Sequence, residues 1–395
     1  MDAQFREYRP TEDCDATRDL LNEVFSRARV SPEGWARWTA QDFTAPVALA
    51  DGRVVGAIPM FRRTYTVAPG AEVVAWVENR VGVAEPLRAR GLGSGMQACA
   101  KEFLRGRGDI LLVYRGAERT KGYRFYEKNG LYDVSYPLAV TVDAADVPPE
   151  RIRWLPADEF FAMAPAWQGV FAACYGHAGG YPSRRLGYLQ EIIGTVTWQE
   201  AMRHEFSYCM AEDNGQPSGY LVLGQREERV QVMELAVLGG SADCAARLIS
   251  AARRRGAPVR CLASHASPMA GALRKLGAPF PPRENGAMML MVHVLDVEST
   301  GRKVWRDVPA LRDVEVRLWT PEREGVIHAP PSPKRTLTIE LKEHLLSRLL
   351  MRRLDVASAV AAELITIHGG QPADTALLAE ALAPCPWVYH PIDYL

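Results

Sequence analysis

The stretch Val81-Gly82-Val83-Ala84-Glu85-Pro86-Leu87-Arg88-Ala89-Arg90-Gly91-Leu92-Gly93-Ser94-Gly95 holds residue types at a spacing that could do chemistry. A strand pattern runs into a turn of little side-chain bulk, and a helical pattern with Met96, Cys99 and Phe103 starts directly after it. Successive backbone N–H groups at a helix start, with no Cβ in the way, form a concave anion site, and the helix dipole adds about half a positive charge there. A pyrophosphate fits such a cradle. Arg88 and Arg90 place fixed cations at its rim, suited to phosphate through charge-assisted hydrogen bonds. The same residues also read as an ordinary glycine-rich turn with solvated arginines, and the turn alone does not decide between the two. Other nucleotide motifs fit worse. Met96 stands where a dinucleotide fingerprint needs its third glycine, and the Gly-Lys-Ser or Gly-Lys-Thr of a phosphate-binding P-loop is absent.

The elements around this turn give it a setting. Thr11-Glu12-Asp13 opens an amphipathic helix with Leu20, Leu21, Val24 and Phe25 on its apolar side. Strand patterns follow at 47–50 and 53–60 across an Asp51-Gly52 turn, then a long β-like run from Glu72 to Val83, an antiparallel meander. After the helix, Ile110 to Tyr114 reads as a buried strand, and Tyr123 to Asn129 as a short helix closed by Gly130. The order then recurs: a hairpin at 206–212 and 219–225 across Asp213-Asn214-Gly215, a strand at 230–238, a helix at 242–255, a strand at 259–263 and a helix ending at Gly277. The second turn, Leu238-Gly239-Gly240-Ser241, lacks the arginine, and Leu273 stands where the first copy has Tyr126. The second copy is therefore read as structural. The remainder differs: a strand around Val314–Leu318, a proline-rich linker, a strand at 336–340 and amphipathic helices between Lys342 and Leu364.

Composition bounds the options. With 395 residues, 48% hydrophobic and 24% charged, the chain is read as globular with more than one core. Lys plus Arg and Asp plus Glu both total 47, so no global field recruits nucleic acid or an anionic membrane. No run approaches the about 18 apolar residues that span a bilayer, and the first residues carry no signal-peptide pattern, so a cytoplasmic location is expected. Seven scattered cysteines without a C-x-x-C pair read as small buried thiols, with no metal site or disulfide framework.

Arg88-x-x-Gly91-x-Gly93 after a Val-x-Val strand resembles the acetyl-CoA motif of the GNAT acetyltransferase superfamily. Tyr123-Arg-Phe-Tyr-Glu-Lys-Asn-Gly-Leu131 resembles that superfamily's later Y-x-x-F-Y-x-x-x-G-F element. The whole layout resembles the enhanced intracellular survival (Eis) family. That resemblance implies an α/β (α+β) fold of two GNAT-like mixed-sheet domains in tandem, 1–150 and a degenerate 151–297, followed by a sterol-carrier-like α+β domain at 298–395. It also implies acetyl-CoA as cofactor, with the backbone of Val81, Gly82 and Val83 along the pantetheine arm and the amides of Arg88, Ala89, Arg90, Gly91, Leu92, Gly93 and Ser94 on the pyrophosphate.

Transfer of acetyl to an amine needs a base, an oxyanion site and a proton for the departing thiolate. By the resemblance Tyr126 is the acid, which a phenol with a usual pKa of about 10 can be at neutral pH. The base it implies is the terminal carboxylate of Leu395, on an aromatic, proline-stiffened tail expected to dock. Phe25 and Trp35, with Trp38, are candidate walls of the acceptor pocket, and equally ordinary core aromatics. The acceptor is an amine of aminoglycoside, polyamine or lysine type, although Phe25-Ser26-Arg27 carries a cation where the family's aminoglycoside acetylators tend to have an acid. A hexamer of paired trimers is implied by the resemblance. The alternatives are a non-catalytic acyl-CoA-binding scaffold and a lipid-binding protein working through the C-terminal domain.

Overall fold

The computed structural model of the chain describes residues 3–26, 29–116, 121–145, 151–196, 204–279, 288–306 and 308–394. The fold is mixed α/β and divides into two compact units. One comprises Met1–Ser26, Thr39–Ser135 and Leu290–Pro386, the other Arg27–Trp38, Tyr136–Met289 and Trp387–Leu395.

The first unit opens with β1 (Gln4–Glu7) and α1 (Pro10–Val24), whose first turn has Pro10 in a position that needs no N–H donor and Glu12 and Asp13 on the positive end of the dipole. Strands β2 (Pro46–Ala50) and β3 (Arg53–Ala57) form the expected hairpin. Asp51 and Gly52 both take positive φ, 49° and 71°, the geometry that matches the twist of paired strands. The run expected as one strand from Glu72 to Val83 is instead two. After β4 (Met60–Ala68), β5 (Ala71–Glu78) ends, Arg80 takes a positive φ of 50°, and β6 (Gly82–Val83) joins a different sheet. Then come α2 (Leu92–Phe103), β7 (Ile110–Gly116), α3 (Lys121–Lys128) and β8 (Tyr132–Ser135). β7 is buried from Ile110 to Tyr114, as expected of a strand covered on both faces.

Two residues after β8, the chain enters the second unit with β9 (Leu138–Val142). Its sheet adds β10 (Ile152–Leu155), β11 (Glu205–Asp213), β12 (Gln216–Arg226), β13 (Arg229–Val237) and β14 (Val259–Ala263), in the order β9-β14-β13-β12-β11-β10. The helices α4 (Ala164–Tyr175), α5 (Ala242–Arg253) and α6 (Pro268–Lys275) belong to the same unit and contribute to one apolar core from Val140 to Ile392. Asn214 and Gly215 turn its β11–β12 hairpin with φ of 54° and 74°, repeating the chemistry of Asp51-Gly52.

The chain returns to the first unit with β15 (Met288–Val294). This strand sits between β7 and β8, so that the central sheet there contains β4-β5-β7-β15-β8, beside a sheet ordered β1-β2-β3-β6. Helix α7 (Val297–Val304) follows, capped by Asp296. A four-stranded sheet ends the unit: β16 (Val314–Trp319), β17 (Glu324–His328), β18 (Arg335–Leu341) and β19 (Ile365–His368) in the order β17-β16-β18-β19, with α8 (Glu343–Leu350). All seven cysteines are free thiols; five are buried, and Cys14 and Cys99 are half-buried.

Candidate acyl-transfer site

The site is built where two parallel strands part. β5 and β7 pair from Ala75 opposite Ile110 to Glu78 opposite Val113, and there the ladder stops. β7 runs on to Gly116, while the chain beyond Glu78 crosses to the other sheet, where Gly82 pairs with Ala57 and Val83 with Gly56. β6 is an edge of that sheet, so among the described residues no strand pairs with its other side. An extended chain of amides can bond to such an edge. Close packing fixes the strand there: a Cβ on Gly82 would lie 2.7 Å from Leu21 Cδ2 and 3.8 Å from Phe25 Cε2.

A short helical turn, Glu85–Leu87, leads to the exposed residues Arg88, Ala89, Arg90 and Gly91. Ala89 and Gly91 take φ of 62° and 85°. Gly91 is the N-cap of α2 and no side chain caps this helix; the first intrahelical bond runs from Gly95 N to Gly91 O at 3.0 Å. The amides of Leu92, Gly93 and Ser94 therefore have no acceptor within the helix and converge on its N-terminal end. Nothing lies within 4 Å of a Cβ built on Gly91, which leaves the approach to those amides open. Arg88 reaches back, its Nε donating to the Val83 carbonyl at 3.2 Å, which puts its guanidinium between the strand edge and the helix end.

The turn's glycines do different jobs. Gly91 supplies the backbone conformation, but a Cβ on Gly93 would lie 2.8 Å from Phe125 Cε2, and one on Gly95 only 2.2 Å from Phe5 Cζ. Phe125 is on α3, so the gap at Gly93 lets α3 settle against the first turn of α2. Asn129 completes the join, its Nδ2 donating to Phe125 O at 2.7 Å and to Ser94 Oγ at 3.3 Å. Tyr126 is half-buried beside this contact, with its ring edge-on to Phe125 at 5.0 Å. The helix ends where the sequence places its stop, with Leu131 N donating to Tyr126 O at 3.0 Å around Gly130.

One functional group was not visible in the sequence reading. Glu78, the last residue of β5, is 4% exposed, and both carboxylate oxygens accept from Gln97 Nε2 on α2, at 2.9 and 2.8 Å. Burial pushes its pKa up to about 7; Gln97 and the charge of Lys101 pull the other way. The available signal was the polar run Glu78-Asn79-Arg80 interrupting an apolar stretch.

The other predicted residues divide between the two units. Phe25 adjoins Gly82 in the first unit, with the Arg80 guanidinium 6.0 Å from its ring centre. Trp35 belongs to the second unit, is 1% exposed and packs on Trp38 at 5.8 Å, the surroundings of a core aromatic. Leu395 lies outside the described residues. The tail before it is docked in the second unit, as expected: Val388 N donates to Gly179 O at 2.9 Å, Trp387 covers Gly180, and Ile392 is fully buried. Arg184 pairs with Asp393 of the tail at 2.8 Å and with Glu234 at 2.6 Å.

The strand edge, the uncapped helix and the adjoining tyrosine can be set beside known folds. A conserved protein of unknown function from Enterococcus faecalis V583, described as a probable N-acyltransferase, superposes with a TM-score of 0.72 over 100% of both chains at 12% identity. A GCN5-related N-acetyltransferase from Kribbella flavida gives 0.66 over 98% of both at 16% identity. The fold is that of the GNAT acetyltransferases. Eis1 from Mycobacterium abscessus matches with a TM-score of 0.63 over 99% of both chains at 13% identity, so the likeness of fold extends over the C-terminal residues too. No family model and no curated protein sequence matches the chain.

Proposed function

We propose that the protein is an acetyl-CoA-dependent N-acetyltransferase acting on a small-molecule or peptide amine of aminoglycoside, polyamine or lysine type. The observation that carries this reading is the pairing of an open strand edge, β6, with an uncapped helix start, α2, in one unit. The edge suits an amide-bearing arm and the helix start suits a pyrophosphate, in the sequence order in which coenzyme A presents them. Acetyl-CoA, when bound, supplies an acyl group activated as a thioester. Val81, Gly82 and Val83 would line the arm, and the amides from Arg88 to Ser94 would hold the phosphates with Arg88 and Arg90 at the rim. Tyr126 donates a proton to the departing sulfur. Glu78, with a pKa of about 7, is matched to taking a proton from an ammonium near neutral pH. The terminal carboxylate of Leu395 is the second candidate base, carried by the family resemblance.

The division into a catalytic domain at 1–150, a degenerate one at 151–297 and a sterol-carrier-like domain at 298–395 is likewise proposed. Phe25 stays as a proposed contributor to acceptor binding; for Trp35, which is 1% exposed, the alternative of an ordinary core aromatic is favoured. A cytoplasmic homo-hexamer without nucleic-acid or membrane partners completes the reading. Among the described residues no helix is long and apolar enough to cross a membrane.

The test is release of free thiol from acetyl-CoA across a panel of amines, with wild type, Tyr126→Phe and a form extended beyond Leu395. Tyr126→Phe is expected to lower kcat by about a hundredfold while KM for acetyl-CoA stays within about twofold. No turnover with any amine, or an unaltered kcat in Tyr126→Phe, rejects the assignment. The extended form separates the bases: a sharp loss favours Leu395, and retained turnover leaves Glu78.

A further inference from the structure

Helix α2 carries a buried polar stripe that packing alone does not call for. Ser94, Gln97 and Lys101 are spaced by three and four residues, which puts them on one side of the helix. Gln97 is fully buried and the other two are half-buried. An amphipathic helix normally fills such positions with apolar side chains. Here each polar group has a specific partner. Ser94 Oγ accepts from Asn129, Gln97 donates to Glu78, and Lys101 Nζ donates to the backbone carbonyl of Asn129.

The stripe thus joins the strand end that carries Glu78 to the last turn of the helix that carries Tyr126. The Asn129 carbonyl is at the negative end of the α3 dipole, where an ammonium is favoured. Burying that ammonium is costly: desolvation pulls the Lys101 pKa down, Arg323 pulls it further, and Glu78 and Glu322 oppose them. Behind Lys101, His293 Nδ1 lies 2.9 Å from the Gly130 carbonyl, and Arg323 is paired with Glu343. Burial and the two nearby cations push the His293 pKa down to about 3, so the ring is neutral and donates from Nδ1. Lys101, one helical turn beyond the Gln97 that binds Glu78, is the cation whose charge acts on that carboxyl.

We propose that Lys101 is a positioning residue, one ammonium that fixes α3, and with it Tyr126, to α2 and also supplies the positive charge against which Glu78 gives up its proton. This rests on the reading of Tyr126 as acid and Glu78 as base. A merely structural lysine would hold the helix without affecting the carboxyl.

Three substitutions separate the two tasks. Lys101→Met removes both donor and charge, Lys101→Gln keeps a donor without the charge, and Lys101→Arg keeps both. Each is read by amide exchange of residues 122–129, by the midpoint of the Glu78 carboxyl band in infrared titration against Glu78→Gln, and by the pH profile of kcat/KM. In Lys101→Met, exchange in α3 is expected to rise about tenfold or more. The Glu78 midpoint and the acid limb are expected to move up together by about one pH unit. Lys101→Gln moves the midpoint with exchange close to wild type, and Lys101→Arg restores both. A midpoint that stays put in both Met and Gln forms overturns the proposal, as does unchanged exchange in the Met form. If Met fails to fold, the Gln and Arg pair decides. Should wild type acetylate no amine, the functional reading fails on its own, and exchange and infrared midpoint still judge Lys101.

Discussion

Replacing Glu78 with glutamine should stabilise the protein, and the gain should depend on pH in a defined way. The side chain is fully enclosed, and burial raises its pKa from an ordinary 4.5 to about 7 in the folded state. Between those values the folded state holds a proton that the unfolded chain has lost, so folding is opposed more strongly as pH rises. Above about pH 7 the penalty is complete. At about 1.4 kcal/mol per pH unit, the gap from 4.5 to about 7 amounts to about 3 kcal/mol. Glutamine has the same shape and no charge, and its carbonyl can still accept from Gln97 Nε2; a turn of the Gln97 amide would let its Oε1, which has no hydrogen-bond partner among the described residues, accept from the new amide. Urea unfolding of wild type and Glu78→Gln at pH 5.5 and pH 8 should therefore diverge, the variant gaining about 2 kcal/mol over wild type between the two conditions. The same substitution should lower kcat by about a hundredfold or more and flatten the acid limb of the profile. Parallel stability curves across that range would show that Glu78 is ionised throughout, and would remove it as a base tuned to neutral pH.

Further outcomes follow from the same geometry. Arg184→Met should cost about 3–5 kcal/mol by urea unfolding, because it strands Glu234 and Asp393, which are 0% and 1% exposed, while methionine fills the space between Phe171 and Tyr188; a loss below about 1 kcal/mol would contradict this. Gly91→Ala should cost only about 1–2 kcal/mol, since its Cβ meets nothing and the expense is the φ of 85°. Gly95→Ala should cost more, because Phe5 has to move, and adding Phe5→Leu should recover part of that loss; equal losses in the two single variants would show the Phe5 contact to be loose.

What the sequence disclosed and what it hid divide by range of interaction. Asp51-Gly52 and Asn214-Gly215 were readable as hairpin turns because the φ they need is a property of those residues themselves. Gly91, Gly93 and Gly95 looked like one phosphate-cradling run. Only Gly91 has the left-handed backbone, and the reasons for Gly93 and Gly95 are Phe125 and Phe5, about 30 and 90 residues away along the chain. Glu78 is not legible as a special residue because Glu72 to Val83 has the pattern of a single strand, and the break at Arg80 that exposes β6 as an edge comes from the separation of two sheets. The recurrence of one α/β order was legible. The insertion of β15 between β7 and β8, which closes the first unit with a strand from far along the chain, was not, since periodicity carries no information about which sheet a strand joins.

The two units share an element order and differ at the places where the proposed chemistry would be done. In the first, the strand before the helix breaks and leaves β6 as an edge, and the helix starts at a glycine that caps nothing. In the second, β13 continues to Val237 past an irregularity of register between Val232 and Glu234, and the Tyr175 hydroxyl from α4 donates to the Leu235 carbonyl at 2.6 Å, so the protein's own side chain takes an acceptor near the end of that strand. Its helix start is also closed: Ser241 caps α5, its Oγ accepting from Cys244 N at 3.2 Å, where the first unit has only Gly91. Each unit keeps a buried glutamate on the strand that leads to this helix. Glu78 is bonded by a neutral amide, whereas Glu234 accepts from Tyr220 at 2.6 Å on one oxygen and from Arg184 at 2.6 Å on the other. An anion approaching the second helix would have to displace a hydroxyl covalently tethered beside it, and an arm approaching the strand would compete with a phenol already in place. The difference lies at the helix start, where Ser241 Oγ holds an amide that the first unit leaves open; at the strands both units have a carbonyl taken by a side chain, Leu235 by Tyr175 and Val83 by Arg88.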